Sequence, residues 1–168
     1  MTHPPIVIVD KKDNPIGQSD MFEARRKGLI HRIVRVMIED KDGRILLQRR
    51  SNEVYSFPNC WDHSAAGHVD VGEDYMEAAK RELAEEIGIN DAELEEIGRY
   101  YTENEKGGEK IKRFNGVYRG IVDTTPTHVD PKEVGEIKWF TTEEIRKLIK
   151  DQPDKVTDGL IDVLQKYY

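Results

Sequence analysis

From Glu73 to Ile87 the chain carries an amphipathic pattern that only a helix satisfies, and the rest of the fold has to receive that helix. Met76, Ala79, Leu83 and Ile87 recur at three- and four-residue spacing, which places them on one stripe, and Gly88 supplies the stop. Within the same helix, Arg81-Glu82-Leu83-Ala84-Glu85-Glu86 sets three carboxylates at i, i+3 and i+4, so Glu82, Glu85 and Glu86 project from one side. Glu86 falls beside the apolar stripe, so at least one carboxylate is expected at the packed surface. Crowded and partly buried like charges are destabilising, and a divalent cation would neutralise them; oxygen-only ligands favour Mg²⁺, with Mn²⁺ as a substitute. In a chain with 35% charged residues the same run also fits a solvated helix face carrying an Arg81–Glu85 ion pair.

A stripe of this kind packs against a sheet, and the flanking sequence supplies one. Residues 6–9 and 16–18 read as a hairpin around the turn residues 11–17. Ser19-Asp20 then caps a short helix over 21–27 that Gly28 stops. Val34, Val36 and Ile38 share one face of the next strand, with Ile33, Arg35, Met37 and Glu39 on the other. The Lys41-Asp42-Gly43 turn leads to a partner strand over 45–50. Residues 51–61 and 67–72 read as loops. Strands are expected over 94–102 and 111–122 around Lys106-Gly107-Gly108, and over 136–140. Thr141 with Glu144 forms a capping box, and 156–168 is a terminal amphipathic helix. The expectation is one α+β unit spanning 1–168, helices covering a mixed sheet, with residues 1–30 as an N-terminal hairpin and helix extension.

Size and charge narrow the partners. At 168 residues the chain fits one domain, and 33 acidic against 26 basic residues give −7, without the basic field that polymeric nucleic acid requires. Cys60, the single cysteine, excludes an intramolecular disulfide and agrees with a reducing compartment. No apolar run approaches the roughly 20 residues of a membrane span, so a cytoplasmic protein with no membrane partner is expected.

The spacing around the acidic helix is more specific than the helix itself. Gly67, five residues, Glu73, seven residues, then Arg81-Glu82-Leu83-Ala84-Glu85-Glu86-Ile87-Gly88-Ile89 is a complete Nudix box, and the chain resembles the Nudix superfamily. The resemblance implies an α/β/α sandwich around a mixed sheet and Mg²⁺-dependent hydrolysis of a diphosphate linked to another moiety; the box does not name the substrate, and a small nucleoside-diphosphate derivative is the leading expectation. It implies Glu82, Glu85 and Glu86 as metal ligands, Glu73 bracing the Gly67 loop through Arg81, and a further carbonyl ligand at Ala66-Gly67. Glu133 matches a carboxylate that many relatives carry outside the box, with Glu136 close enough to compete. Glu82 or Glu133 would be the base, and Arg81 would position Glu82. Arg49 and Arg50, at the end of their strand, are candidates to hold phosphate oxygens; successive strand residues face opposite ways, so one of the two is expected to do so.

A second resemblance covers nearly the first 90 residues. Val9-Asp10, Pro15-Ile16-Gly17, Gly28-Leu29-Ile30-His31-Arg32, Leu46-Leu47-Gln48-Arg49-Arg50, Pro58, Trp61 and Gly67-His68 resemble the type 1 isopentenyl-diphosphate isomerase branch, which includes hydrolase-like relatives. In the isomerases a catalytic cysteine precedes the box glycine; here that residue is Ala66, and Cys60 lies too early to replace it. Lys112 to Gly116 offers no acid for the opposing role. His31 and His68 match histidines that bind metal in the isomerases, without evident glutamates to complete the site. Tyr55, Phe57 and Trp61 are candidates to stack on a base or an isoprenoid. The resemblance therefore favours a hydrolase, with an isomerase-like enzyme or a non-catalytic binding module as alternatives.

Overall fold

The computed structural model describes residues 3–168. β1 (Ile6–Val9) and β2 (Pro15–Ser19) pair as the expected antiparallel hairpin. Asp20 caps α1 (Met21–Lys27) by accepting from the amides of Phe22 and Glu23, and Gly28 closes it at φ 65°, a left-handed conformation that glycine adopts without strain. Ile6 and Ile8 pack on Ala24 and so fix α1 to the hairpin.

β3 (Ile30–Glu39) is the spine of the sheet. It pairs in parallel with β8 (Glu109–Ile121) along its full length. Its other edge is shared in succession by β1 at His31, by β6 (Ala65–His68) from Ile33 to Val36, and by β4 (Ile45–Arg50) at Ile38 and Glu39. The 45–50 hairpin partner is therefore present, but it leaves β3 after two residue pairs. Beyond that point β4 pairs with β5 (Trp61–Asp62) and β9 (Val134–Phe140). Ser64 sits in the fork between the diverging strands. Its Oγ accepts from the Ile38 amide at 2.8 Å and donates to the Leu46 carbonyl, satisfying two backbone groups that the divergence would strand.

The loop expected over 67–72 is corrected at its start, because Gly67 and His68 finish β6. Ala65 to His68 have little strand propensity of their own. They are extended because the edge of β3 between β1 and β4 needs partners. α2 (Tyr75–Ile87) begins two residues later than expected: Asp74 takes the cap and forms a capping box with Glu77, which leaves Glu73 in the loop. β7 (Glu95–Lys106) and β8 run past their expected ends to a two-residue turn. Gly107 and Gly108 both take positive φ there, 58° and 82°, so Lys106 pairs directly with Glu109. α3 (Thr142–Asp151) carries the expected Thr141–Glu144 capping box, and a short 3₁₀ turn, Pro153–Lys155, precedes α4 (Asp158–Tyr167), capped by Thr157.

Among the described residues, nine strands form one mixed sheet between two helical layers, the α/β/α sandwich. On one face Val34, Val36, Ile38 and Tyr118 meet Ala79, Leu83 and Ile87 of α2. Leu83 is 1% exposed, a burial that contributes roughly 1.5–3 kcal/mol. On the other face Met37, Leu47 and Val117 meet Ile145 of α3 and Leu160, Val163 and Leu164 of α4. That second layer leaves the start of β3 uncovered, where Ile33 lines an open cleft, and Arg35 reaches the same cleft with its guanidinium against Gly159 of α4.

Candidate active site

The fork that Ser64 fills is also where α2 delivers its carboxylates. Glu86 is 7% exposed: its Oε1 accepts from the Ala66 amide at 3.3 Å, on the β3 side, and its Oε2 accepts from Gln48 Nε2, on the β4 side. Burial, followed by the nearby Glu82 charge, pushes its pKa well above the carboxylate range. Burial likewise raises Glu82 to about 7 against the pull of Arg81. A Cβ on Gly67 would overlap the Glu82 carboxyl group, and even the more distant oxygen, Oε2, would lie only 2.7 Å away. Gly67 is therefore a space requirement for Glu82.

Arg81 organises the acids. It meets Glu73 through two bonds, Nε to Oε2 at 2.8 Å and Nη2 to Oε1 at 3.0 Å, and Nη2 also donates to the His68 carbonyl at 3.0 Å. Its Nη1 serves Glu82 at 2.8 Å and Glu85 at 3.3 Å, and Asp70 is 3.5 Å from Nη2. Burial opposes the charge, but these carboxylates outweigh it and hold Arg81 protonated well above its ordinary range. Glu73 Oε1 also accepts from the Asp70 amide at 3.0 Å, which ties the loop to the helix. Among the described residues no three acidic or imidazole groups are gathered as a ready coordination shell, because Glu82 and Glu85 both face Arg81. The donor set still fits a hard divalent cation: three carboxylates on one helix side, two of them pushed toward the neutral form by burial.

Glu82, Glu85 and Glu86 open onto a cleft of about 1240 Å³ that Gly67, Arg81, Arg50 and Glu133 also line. Glu133 carries no hydrogen bond or ion pair on its carboxylate among the described residues, while its backbone is held by Asp130 and Ser51. Glu136, its competitor, turns away to pair with Arg49 at 3.0 Å. Arg49 and Arg50 part as strand alternation requires. Arg49 stays outside the cleft with Glu136 and Asn59, whereas Arg50 lines it, donating to the Ser56 carbonyl at 2.8 Å and reaching Asp62 at 3.2 Å. Tyr55 and Phe57 line the cleft, but Trp61 packs edge-on against Phe140 with ring centres 5.0 Å apart. Cys60 is buried with its thiol toward the Asp154 carbonyl, and it is Ala66 that faces the cleft.

Several cleft residues carried no sequence signal. Asp62 is buried against His63 at 2.6 Å and Thr157 at 2.8 Å; burial opposes its charge, but His63 and Arg50 outweigh it and hold Asp62 well below the usual range. Arg25, Arg35, Glu109 and Arg113 also line the cleft. They converge from α1, β3 and β8 through the parallel β3–β8 pairing, which no local pattern announces.

Comparisons with known proteins identify the family and the fold. An isopentenyl-diphosphate Delta-isomerase of Nocardia farcinica is 35% identical over 164 residues, covering 96% of this chain and 93% of its own. An uncharacterised Nudix hydrolase of Yersinia pestis is 36% identical over 138 residues, 82% of this chain and 73% of its own. The crystal structure of a Deinococcus radiodurans protein superposes with a TM-score of 0.83 at 24% identity, over 98% of this chain and 99% of that one. The NUDIX domain model matches residues 29–160, which takes in the β3–β4 fork, the whole acidic helix and Glu133, and the chain belongs to the Nudix superfamily, in its isopentenyl-diphosphate isomerase-like branch.

Proposed function

We propose that the protein is a Mg²⁺-dependent hydrolase that cleaves the diphosphate bond of a small nucleoside-diphosphate derivative. The observation that carries this reading is the group of three carboxylates, half-buried Glu82, exposed Glu85 and buried Glu86, that one side of α2 presents at the wall of an open cleft, with burial raising Glu82 and Glu86. Glu82, Glu85 and Glu86 would hold the cation, which when bound screens the diphosphate and lowers the pKa of an attacking water. Arg81, itself oriented by Glu73, positions Glu82, and Gly67 leaves the room that Glu82 occupies. Glu133 takes the proton from water, since its carboxylate has no partner among the described residues, with Glu82 as the second candidate. Arg50 holds a phosphate oxygen from the same wall, and Arg49 takes no part. One domain over residues 1–168, acting as a cytoplasmic enzyme, accommodates these assignments. Among the described residues no helix is long and apolar enough to cross a membrane.

Phosphate release from a panel of nucleoside-diphosphate derivatives, with and without Mg²⁺, tests the reading. Turnover is expected only with the cation, and Glu133→Gln should lower kcat. No turnover of any panel member would overturn it. The identity to an isopentenyl-diphosphate isomerase over 96% of the chain favours a second reading, proton exchange on isopentenyl diphosphate. Deuterium uptake into that substrate, with Mg²⁺ and Zn²⁺ supplied, separates the two, and none is expected from a cleft that presents Ala66. A pure binding module, the third reading, has no use for crowded acids at the cleft wall.

A further inference from the structure

The cleft has an end that hydrolysis at the acidic helix does not use. Strand register puts His31 opposite Arg113, Ile33 opposite His68, and Arg35 opposite Ala66, so these side chains share one face of β8, β3 and β6. α1 brings Arg25 to the same region, and Arg25, Arg35, His68 and Arg113 all line the cleft. Arg25 is 7% exposed; its Nη1 donates to Ser56 Oγ at 3.2 Å, and Glu109 is the nearest acid, at 4.0 Å. Arg35 spends its Nε on Asn115 at 2.9 Å. Neither Arg35 nor Arg113 has an ion pair among the described residues, and Asp62 is already engaged by Arg50, His63 and Thr157.

The polar atoms at this end are left over. Nε of Arg25, Nε of Arg113, and Nε2 of both His31 and His68 are buried without a hydrogen-bond partner. Burial, with the guanidiniums of Arg35 and Arg25, pulls Arg113 down to about 9. Two imidazoles with ring centres 5.3 Å apart would suit a cation by themselves. The guanidiniums reverse the sign of the site, and among the described residues no carboxylate joins the histidines. The unpartnered guanidinium nitrogens of Arg25 and Arg113 are buried donors of one charge, which an anion satisfies. The three guanidiniums come from separate elements, α1, β3 and β8, so together they can engage the three free oxygens of a phosphoryl group, one more than a carboxylate offers. His31 Nδ1 faces the Leu29 carbonyl at 3.1 Å and so carries the proton, leaving Nε2 to accept from a protonated phosphate oxygen.

We propose that Arg25 and Arg113, with His31, His68 and Arg35 around them, form a phosphoryl subsite that takes a phosphate group of the substrate other than the one attacked beside α2. The substrate class is then a diphosphate derivative with a further phosphoryl group. This identification of the ligand as substrate rests on the hydrolase reading; the anion site itself does not.

The test is inorganic phosphate binding in EDTA, read by calorimetry and by thermal shift, so that neither turnover nor the cation site contributes. Saturable binding is expected in the wild type and in Glu86→Gln, and at least about tenfold weaker binding in Arg113→Met and Arg25→Gln. Without ligand, Arg113→Met should melt no lower than the wild type, because it removes an unpaired charge; a purely structural arginine would lower the melting temperature. Arg25→Gln gives an independent reading from a different element. Absence of saturable phosphate binding, unchanged affinity in both variants, or equal protection by succinate would overturn the subsite. Phosphate binding without turnover of any diphosphate would leave the subsite standing and remove the hydrolase reading instead.

Discussion

Gly67→Ala isolates the geometric core of the site with a single methyl group. Gly67 lies in β6 with an ordinary backbone conformation, so the substitution strains no dihedral and acts only through space. Its Cβ would overlap the Glu82 carboxyl carbon and Oε1 and stand 2.7 Å from Oε2, where unforced contact begins near 3.4 Å. Restoring that contact moves the carboxylate by roughly 1 Å, and a displacement of that size in a reacting constellation costs about 100-fold in rate. The same overpacking costs about 1–3 kcal/mol of stability, or roughly 2–12 °C in Tm for a domain of this size. Glu82 can swing because it is the end of a flexible side chain, so the lower half of that range is expected. Initial rates on the best panel substrate, with melting curves read by circular dichroism, provide the assay. Gly17→Ala is the control, since nothing lies within 4 Å of its Cβ and it should leave both quantities unchanged. A folded Gly67→Ala with wild-type kcat would refute the argument that the Glu82 carboxylate position carries catalysis.

Three further outcomes follow from the same acids. Glu86→Gln should abolish most turnover while keeping the fold, because it removes a ligand charge without adding bulk; undiminished rates in a folded variant would sink the cation site. Arg81→Ala should lose activity mainly in kcat, by about 100-fold, through release of Glu82 and of the Glu73 brace, whereas a pure KM increase would place Arg81 on the substrate. In EDTA, Glu82 keeps its proton up to about pH 7 in the folded state, against 4.5 unfolded, so the native state binds the extra proton and its stability falls as pH rises through that window. Urea unfolding of wild type against Glu82→Gln should therefore show the variant gaining up to about 3 kcal/mol between pH 4.5 and 8, and a pH-independent difference would count against the buried acid.

Local chemistry was sufficient wherever a segment carries its own signals. Asp20 and Gly28 mark α1, Thr141 and Glu144 open α3, and the stripe through Leu83 sets the face of α2 and puts Glu86 at its edge. The Asp74–Glu77 box that starts α2 was also readable, and the pull of Glu73 in the motif hid it. β6 was not readable, because Ala65 to His68 are extended only to cover the open edge of β3. The choice between Arg49 and Arg50, and between Glu133 and Glu136, depends on a register shift where β9 pairs with Arg49 and Arg50, which sequence alternation alone does not locate. Arg25 and Arg113 are 88 positions apart and meet only because β3 and β8 pair in parallel beneath α1.

The two resemblances separate on one face of three strands. The acidic helix, its Arg81 brace and Gly67 lie on the α2 side and carry the carboxylates that the proposed cation-assisted reaction on a diphosphate would use. On the opposite face, Ala66 of β6 pairs with Arg35, and Arg113 of β8 pairs with His31. Ala66 removes the proton donor that allylic isomerisation requires. Arg113 places a guanidinium beside the histidines that the isomerase resemblance would have bind a metal, and a cation held there would face Arg25, Arg35 and Arg113 together. Each feature argues against isomerisation and for the proposed hydrolase, and both are compatible with a negatively charged substrate lying along this face. The single substitution Ala66→Cys would supply a thiol and leave the field positive, so it should not produce deuterium exchange into isopentenyl diphosphate; exchange in that variant would show that the guanidiniums do not set the chemistry of the cleft.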